Sequence, residues 1–335
     1  MDPLKPQLPA LSGASRKARL LRAYLRGEPV HCTWQLTPRC ESFCHLCDHR
    51  AESAGDELDT ETCARVSDEL GRDGSLLVSL TGSEPFLRSD LPAIVGALAR
   101  RHFPLLVTNG WLVTPPLARA VWEAGLEAAT VTLEDADAER HDAAVGLPGA
   151  HARAVTALGV LARERRRRGQ RVNVRARLRD AEAAALPGLL ALAARYGATV
   201  TVEAAYPLPQ LDGQAAVLGS RLRELKRRHA NLRSSAAVLE RLGDAMGGGA
   251  PGCLAARAFF NVDHRGRVSK CLEFRQDQDR LGTLAEGSLA QLRPGLKRVA
   301  AANDCRACFY ASRAEVETLY TMRGLLGGLR TLVGA

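Results

Sequence analysis

Short runs of strand-forming residues alternate with longer amphipathic stretches from about residue 28 to 210. The strand runs are 30–37, 76–81, 104–108, 129–134, 172–178 and 199–204. Helical spacing occupies 60–72, 90–101, 115–124, 149–168 and 185–196, the last closed by Gly197. This alternation is the pattern of parallel α/β structure, because parallel neighbours need a crossover long enough to hold a helix. Within the strands, polar and apolar positions also alternate. His31, Thr33, Gln35 and Thr37 oppose Cys32, Trp34 and Leu36; Thr130, Thr132 and Glu134 oppose Val131 and Leu133. Asn173, Arg175 and Arg177 oppose Val174, Ala176 and Leu178, and Thr199, Thr201 and Glu203 oppose Val200 and Val202. A flat sheet covered on both sides would be apolar on both faces. A polar face on strand after strand predicts a curved, barrel-like sheet around a hydrophilic lumen, with helices outside.

Beyond residue 210 the texture changes. Residues 211–250 read as helices broken at Gly247-Gly248-Gly249. The runs 259–263 and 267–271 flank His264-Arg265-Gly266 as a hairpin. The basic, apolar stretch 313–335 is expected to dock on the protein or fray rather than lie on a membrane, since Gly324, Gly327 and Gly328 weaken a helix there.

Composition narrows the class. With 335 residues, 46% hydrophobic and 25% charged, the chain has material for a large domain and a smaller one, as in a soluble globular enzyme. No run of about 18 apolar residues predicts a membrane span. The opening Met1-Asp2-Pro3-Leu4-Lys5-Pro6 lacks a signal peptide's apolar core, so the cytoplasm is expected. Nine cysteines there point to metal ligation over disulfides. The net charge of +9 rests on arginine. The basic run Arg163–Arg171 has no interleaved aromatics and reads as a solvated helix end stopping at Gly169, not as a nucleic-acid site. The positive balance would help steer an acidic redox partner.

The strongest chemical signal is Cys40, Cys44 and Cys47 in Thr-Pro-Arg-Cys-Glu-Ser-Phe-Cys-His-Leu-Cys. Three thiolates from one loop are one too few for a four-iron cluster, so one iron stays open for another ligand. This loop begins where the first strand ends. Thr81-Gly82-Ser83-Glu84-Pro85 follows the second strand and Thr108-Asn109-Gly110 the third; Thr132 and Glu134 close the fourth, Arg177 the fifth, and Glu203 with Tyr206-Pro207 the sixth. Parallel barrels gather their active sites at this end of the strands.

Taken together, the Cys-x3-Cys-x2-Cys run, Gly82-Ser83-Glu84-Pro85 and Val131-Thr132-Leu133-Glu134 make the chain resemble the radical S-adenosylmethionine (SAM) enzymes over residues 30–210. The resemblance implies a partial (β/α)6 barrel and a 4Fe–4S cluster whose unique iron binds SAM. One electron then splits a C–S bond to release a 5′-deoxyadenosyl radical. On that reading Gly82 and Ser83 offer backbone groups at close approach, Glu84 is a candidate for the SAM ammonium, Arg175 or Arg177 for its carboxylate, and Thr132 and Glu134 for the ribose hydroxyls. Three positions depart from the family pattern: Leu46 stands where an aromatic residue is usual, Ser83 replaces a glycine, and Glu134 replaces the shorter aspartate.

A second set, Cys253, Cys271, Cys305 and Cys308, resembles the twitch form of the SPASM domain, which holds an auxiliary 4Fe–4S cluster; structural zinc is the other reading of four such cysteines. The expected layout is a lead segment 1–27, a radical SAM core 28–210, a helical linker 211–250, a twitch-like domain 251–312 and a tail 313–335. Cys32 and Cys63 read as packing residues, His45 and His49 as solvent or substrate contacts, and Glu203 and Tyr206 as walls of a substrate pocket. The resemblance implies hydrogen abstraction from a substrate, a peptide ahead of a small molecule such as a nucleotide or sugar, with a flavodoxin or ferredoxin-type reductant. Residues 1–27 are too few for a peptide-recognition domain. The competing classes are a non-catalytic iron–sulfur carrier and a zinc-stapled binding protein.

Overall fold

A computed structural model describes residues 9–41, 56–211, 213–249, 252–273 and 280–320. Cys44 and Cys47, with His45, Leu46 and His49, lie outside the described residues. Helix α1 (Gly13–Leu25) comes first, followed by β1 (His31–Gln35), α2 (Thr60–Asp73), β2 (Leu77–Thr81), α3 (Leu91–Ala99) and β3 (Phe103–Thr108). Next are α4 (Pro115–Glu123), β4 (Ala128–Thr132), α5 (Ala138–Val145), α6 (Ala150–Glu164), β5 (Arg171–Leu178), α7 (Leu186–Arg195) and β6 (Thr199–Ala204). β1 to β6 are parallel and stand in the order β6-β5-β4-β3-β2-β1, the partial (β/α)6 arrangement.

The alternation along the strands does what it predicted. Trp34, Leu80, Leu106, Val131, Val174 and Val202 belong to the buried apolar core. His31, Thr33, Ser79, Thr132, Asn173 and Arg175 line a central cavity instead. β3 departs from the rule, because Phe103, Leu105 and Val107 also face the cavity, and that strand has no polar face in the sequence.

The remaining elements differ from expectation in instructive ways. The lead segment contains α1, capped by Ser12, whose Oγ accepts from the Ser15 amide. Arg16 of this helix donates to the carbonyls of Ala99 and His102, fastening it across the N-terminal end of the barrel. Helix α6 stops at Glu164, short of Gly169. Gln170 explains this: its Oε1 accepts from the amides of Arg166 and Arg167, and its Nε2 donates to Trp122 and Leu126 carbonyls, which pulls the chain out of helical register.

The downstream region packs onto the barrel's two edges. Helices α8 (Ala215–Arg228) and α9 (Ala236–Asp244) follow β6, and residues 231–233 bond to Val200 on its free edge. On the other side β7 (Phe259–Val262) pairs in parallel with β1, then β8 (Arg267–Ser269) and β9 (Arg280–Thr283) continue antiparallel. The expected hairpin therefore exists, but it extends the barrel's own sheet instead of standing apart. Asn261 Nδ2 donates to Gln35 Oε1 at 3.0 Å across the junction, and Phe260 and Val262 join the main core. Helix α10 (Leu289–Ala301) precedes α11 (Ala311–Leu319). The latter takes in the start of the segment from 313 onward, which packs onto the protein there: Arg313 and Glu317 are buried. Among the described residues no single helix is long and apolar enough to cross a membrane.

Because β7 shares its core with the barrel, Phe260→Ala is expected to lower global stability by about 3–5 kcal/mol. Calorimetry of the metal-free protein should show a single transition moving down; a separate early transition with the main one unmoved would contradict the shared sheet.

Candidate active site

A cavity of about 1840 Å³ is lined from α1 at one end of the barrel to Cys40, Gly82 and Tyr206 at the other. Its C-terminal rim is built by backbone pairing. Gly82 has φ +121°, and a Cβ there would lie 2.4 Å from the Thr37 carbonyl oxygen, so only glycine fits. That close approach lets the Ser83 amide donate to Thr37 O and the Glu84 amide to Arg39 O, each at 2.9 Å. The Ser83 hydroxyl adds a 2.6 Å bond to Pro38 O, which gives the serine at this family glycine position a structural task. Residues 82–84 thus fix the point from which Cys40 leaves the barrel.

Arg39 and Glu57 clasp the chain on either side of the cysteine loop. Arg39 Nε and Nη2 donate to the two Glu57 carboxylate oxygens at 2.7 and 2.9 Å, the bidentate geometry that suits guanidinium and carboxylate. Thr37 and Arg88 converge on the same carboxylate. Together these partners hold its pKa below the ordinary glutamate range against burial. The sequence pattern offered no signal for this clasp, since its partners stand 18 positions apart on either side of the cysteine motif.

Glu84 corrects an expectation. Its side chain is 0% exposed, accepting from Thr108 Oγ1 and from the amides of Phe86 and Asn109. It ties β2 to β3 beneath the rim and offers nothing to a ligand ammonium. Asn109 Nδ2 instead faces the site, 3.7 Å from Cys40 Sγ and 3.0 Å from Glu41 Oε1.

The arginines divide their labour. Arg177 Nε donates to Glu134 Oε1 at 2.7 Å and Arg179 Nη2 to Glu134 Oε2 at 3.2 Å, so Glu134 is engaged by cations where ribose contact was expected. Arg175 Nη2 donates to Thr132 Oγ1 at 2.9 Å. Its Nε is buried, has no hydrogen bond and stands 3.5 Å from Glu203 Oε1. Arg175 is therefore the better placed of the two for an anionic ligand group. Glu203 accepts from the Ala311 amide through its other oxygen, fastening α11 to β6. Tyr206, 44% exposed, has its ring 6.2 Å from that of Tyr310, whose hydroxyl donates to Glu273.

Cys253, Cys271, Cys305 and Cys308 all line the same cavity. The Cys253 amide donates to Cys305 O, the Ala255 amide reaches Cys253 Sγ at 3.4 Å, and Arg313 Nη1 reaches Cys308 Sγ at 3.2 Å. Donors aimed at sulfur suit thiolates that carry negative charge to a metal group. Burial pushes the Cys308 thiol up to about 12, opposed by Arg313, so as a free group it stays protonated. Among the described residues no three His, Cys, Asp or Glu side chains gather closely enough to hold a single metal ion. Cys32 and Cys63 are buried in the core and take no part.

Cys40 at the rim, the unbonded Arg175 Nε and the glycine-lined approach thus fit a cluster with a zwitterionic nucleotide beside it. The structure presents a parallel half-barrel with Cys40 on its C-terminal rim. Residues 34–174 match the Radical SAM superfamily.

Two curated relatives match part of the chain. PqqA peptide cyclase of Granulibacter bethesdensis is 31% identical over 132 residues, 38% of this chain and 35% of that protein. AdoMet-dependent heme synthase of Methanosarcina barkeri is 33% identical over 137 residues, 40% of this chain and 39% of that protein. The chain thus spans well under half the length of these curated relatives. Streptococcus suis SuiB, in a crystal structure bound to precursor peptide SuiA, shares the fold with TM-score 0.64 at 14% identity, over 91% of this chain and 77% of that one.

Two outcomes follow. Burial raises the Glu84 pKa from 4.5 to about 7, against the pull of the Asn109 and Phe86 amides. The folded protein therefore binds this proton more tightly than the unfolded chain. The associated stability is full below about 4.5 and is lost as pH rises through about 7. Thermal unfolding of the metal-free protein across that window should slope less in Glu84→Gln than in the parent; identical slopes would refute it. Glu57→Gln, which loosens the clasp on Arg39, is expected to weaken iron binding by the first cysteine loop about tenfold, read as iron retained after anaerobic reconstitution and gel filtration.

Proposed function

We propose that this chain is a radical SAM enzyme that cleaves SAM reductively and abstracts hydrogen from a peptide substrate, in the manner of peptide maturation. The observation that carries the reading is the single cavity whose wall includes Cys40, Ser83 and Arg175 at the barrel rim and Cys308 beyond it. Cys40, Cys44 and Cys47 would hold the 4Fe–4S cluster, which when bound supplies the electron that turns SAM into methionine and a 5′-deoxyadenosyl radical. The backbone of Gly82 and Ser83 approaches the nucleotide's amino-acid end, Arg175 takes its carboxylate, and Thr132 lies beside them for the ribose. The barrel lumen would shield the reacting carbon from stray hydrogen donors.

Cys253, Cys271, Cys305 and Cys308 would bind an auxiliary 4Fe–4S cluster. Structural zinc is the other reading of four such cysteines; the match of residues 34–174 to the Radical SAM superfamily favours the iron–sulfur group. The names of two comparison proteins, a peptide cyclase and SuiB bound to its precursor peptide, favour a peptide substrate. The heme synthase keeps a small-molecule substrate as the second reading. A flavodoxin or ferredoxin-type protein is the fitting reductant, acidic against the chain's net charge of +9. A reducing cytoplasm suits seven described cysteines that are all unbridged.

Anaerobic reconstitution with iron and sulfide, then dithionite and SAM, tests this. About eight irons per chain and 5′-deoxyadenosine formation are expected, with product abolished by Cys40→Ala. A fully loaded cluster that forms no 5′-deoxyadenosine would leave an electron carrier instead.

A further inference from the structure

We propose that Arg313 is a positioning residue for the auxiliary cluster, holding Cys308 by an N–H···S contact and raising the cluster's reduction potential. The inference rests on the reading of Cys253, Cys271, Cys305 and Cys308 as its ligands. Arg313 lies in the first turn of α11 and is 4% exposed. Its Nη1 donates to both Cys308 O at 2.8 Å and Cys308 Sγ at 3.2 Å. Nη2 is buried, has no hydrogen-bond partner, and belongs to a side chain on the cavity wall.

Burying a guanidinium is costly unless it is paired, and Glu317 provides the pairing one helical turn later. Its Oε1 accepts from Arg313 Nε at 2.8 Å and from the Leu254 amide at 2.9 Å, while Oε2 accepts from Arg241 Nη2 at 3.0 Å. The arrangement has two consequences. Leu254 adjoins Cys253, so one ion pair ties the first and last cysteines of the set to the same helix. Two guanidiniums share one carboxylate, so the group carries one surplus positive charge, and Arg313 directs it at the sulfurs.

Net charge and hydrogen bonds to sulfur are the protein's main levers on such a potential. When a 4Fe–4S cluster with four thiolates accepts one electron, no bond forms or breaks and its charge becomes one unit more negative. A fixed cation at hydrogen-bond distance in a low-dielectric wall favours that reduced state. The same contact in a purely structural role would hold the loop without discriminating between the two charge states.

The test uses the full chain with Cys40, Cys44 and Cys47 all changed to alanine, so that only the auxiliary cluster is read, in an electron paramagnetic resonance titration with titanium(III) citrate as reductant. Arg313→Gln is expected to shift the reduction equilibrium about tenfold toward the oxidised form, a potential about 59 mV lower for one electron. Arg313→Lys, which keeps the charge, should restore most of that shift. Protein grown with heavy-nitrogen arginine should show a hyperfine coupling to the reduced cluster that vanishes in Arg313→Gln; the parent's coupling stays decisive if that variant does not fold. An unchanged potential in an iron-loaded Arg313→Gln protein, equal shifts in the Gln and Lys variants, or no arginine coupling would overturn the proposal. A triple-alanine protein that holds no cluster would overturn it together with the auxiliary-cluster reading. 5′-deoxyadenosine formation by the unaltered chain would still stand apart from that result.

Discussion

The site depends on one backbone contact, the packing of residues 82–84 against residues 37–39. It requires a position with no side chain, because any Cβ on Gly82 would meet the Thr37 carbonyl. Once that approach is made, the amides of Ser83 and Glu84 fix where the chain turns off β1 toward Cys40. Glu84 then anchors the same segment to β3 from below, through Thr108 and Asn109. The motif acts first as a piece of scaffolding, and only its exposed backbone is left for a ligand.

Charge is handled by pairing inside the wall rather than by exposure. Arg177 with Glu134 and Arg313 with Glu317 each settle a guanidinium on the cavity wall in a defined direction. Such pairs add little net stability once desolvation is counted, but they give polar groups a unique placement. Arg175, whose Nε is buried without a hydrogen bond beside Glu203, lines the cavity. The pairs define the shape of the site, and the remaining hydrogen-bonding capacity defines what it can bind.

The C-terminal region belongs to this same design. Through β7 it lengthens the barrel's sheet, and through α11 it covers the edge beside β6, where Ala311 bonds to Glu203. Cys40 and the four downstream cysteines therefore line one cavity.

Much of the barrel was legible in the chain because strand alternation is a local property. The polar positions of β1, β4, β5 and β6 and the small-residue requirement at Gly82 are written in neighbouring residues, and the three-cysteine spacing announces an open metal position. Other features depend on partners far apart in sequence. Glu57 clasping Arg39, Glu134 engaged by Arg177 and Arg179, and Glu317 reaching Leu254 arise only when the sheet curves and α11 packs into its seam. The hairpin's attachment to β1 is of the same kind, since its residues specify a turn but not the strand they will join. The sequence alone determined which residue types could meet a cluster and a nucleotide, because that is local chemistry. The tertiary structure decided which of them remain open to a ligand, because burial and long-range pairing consume the others.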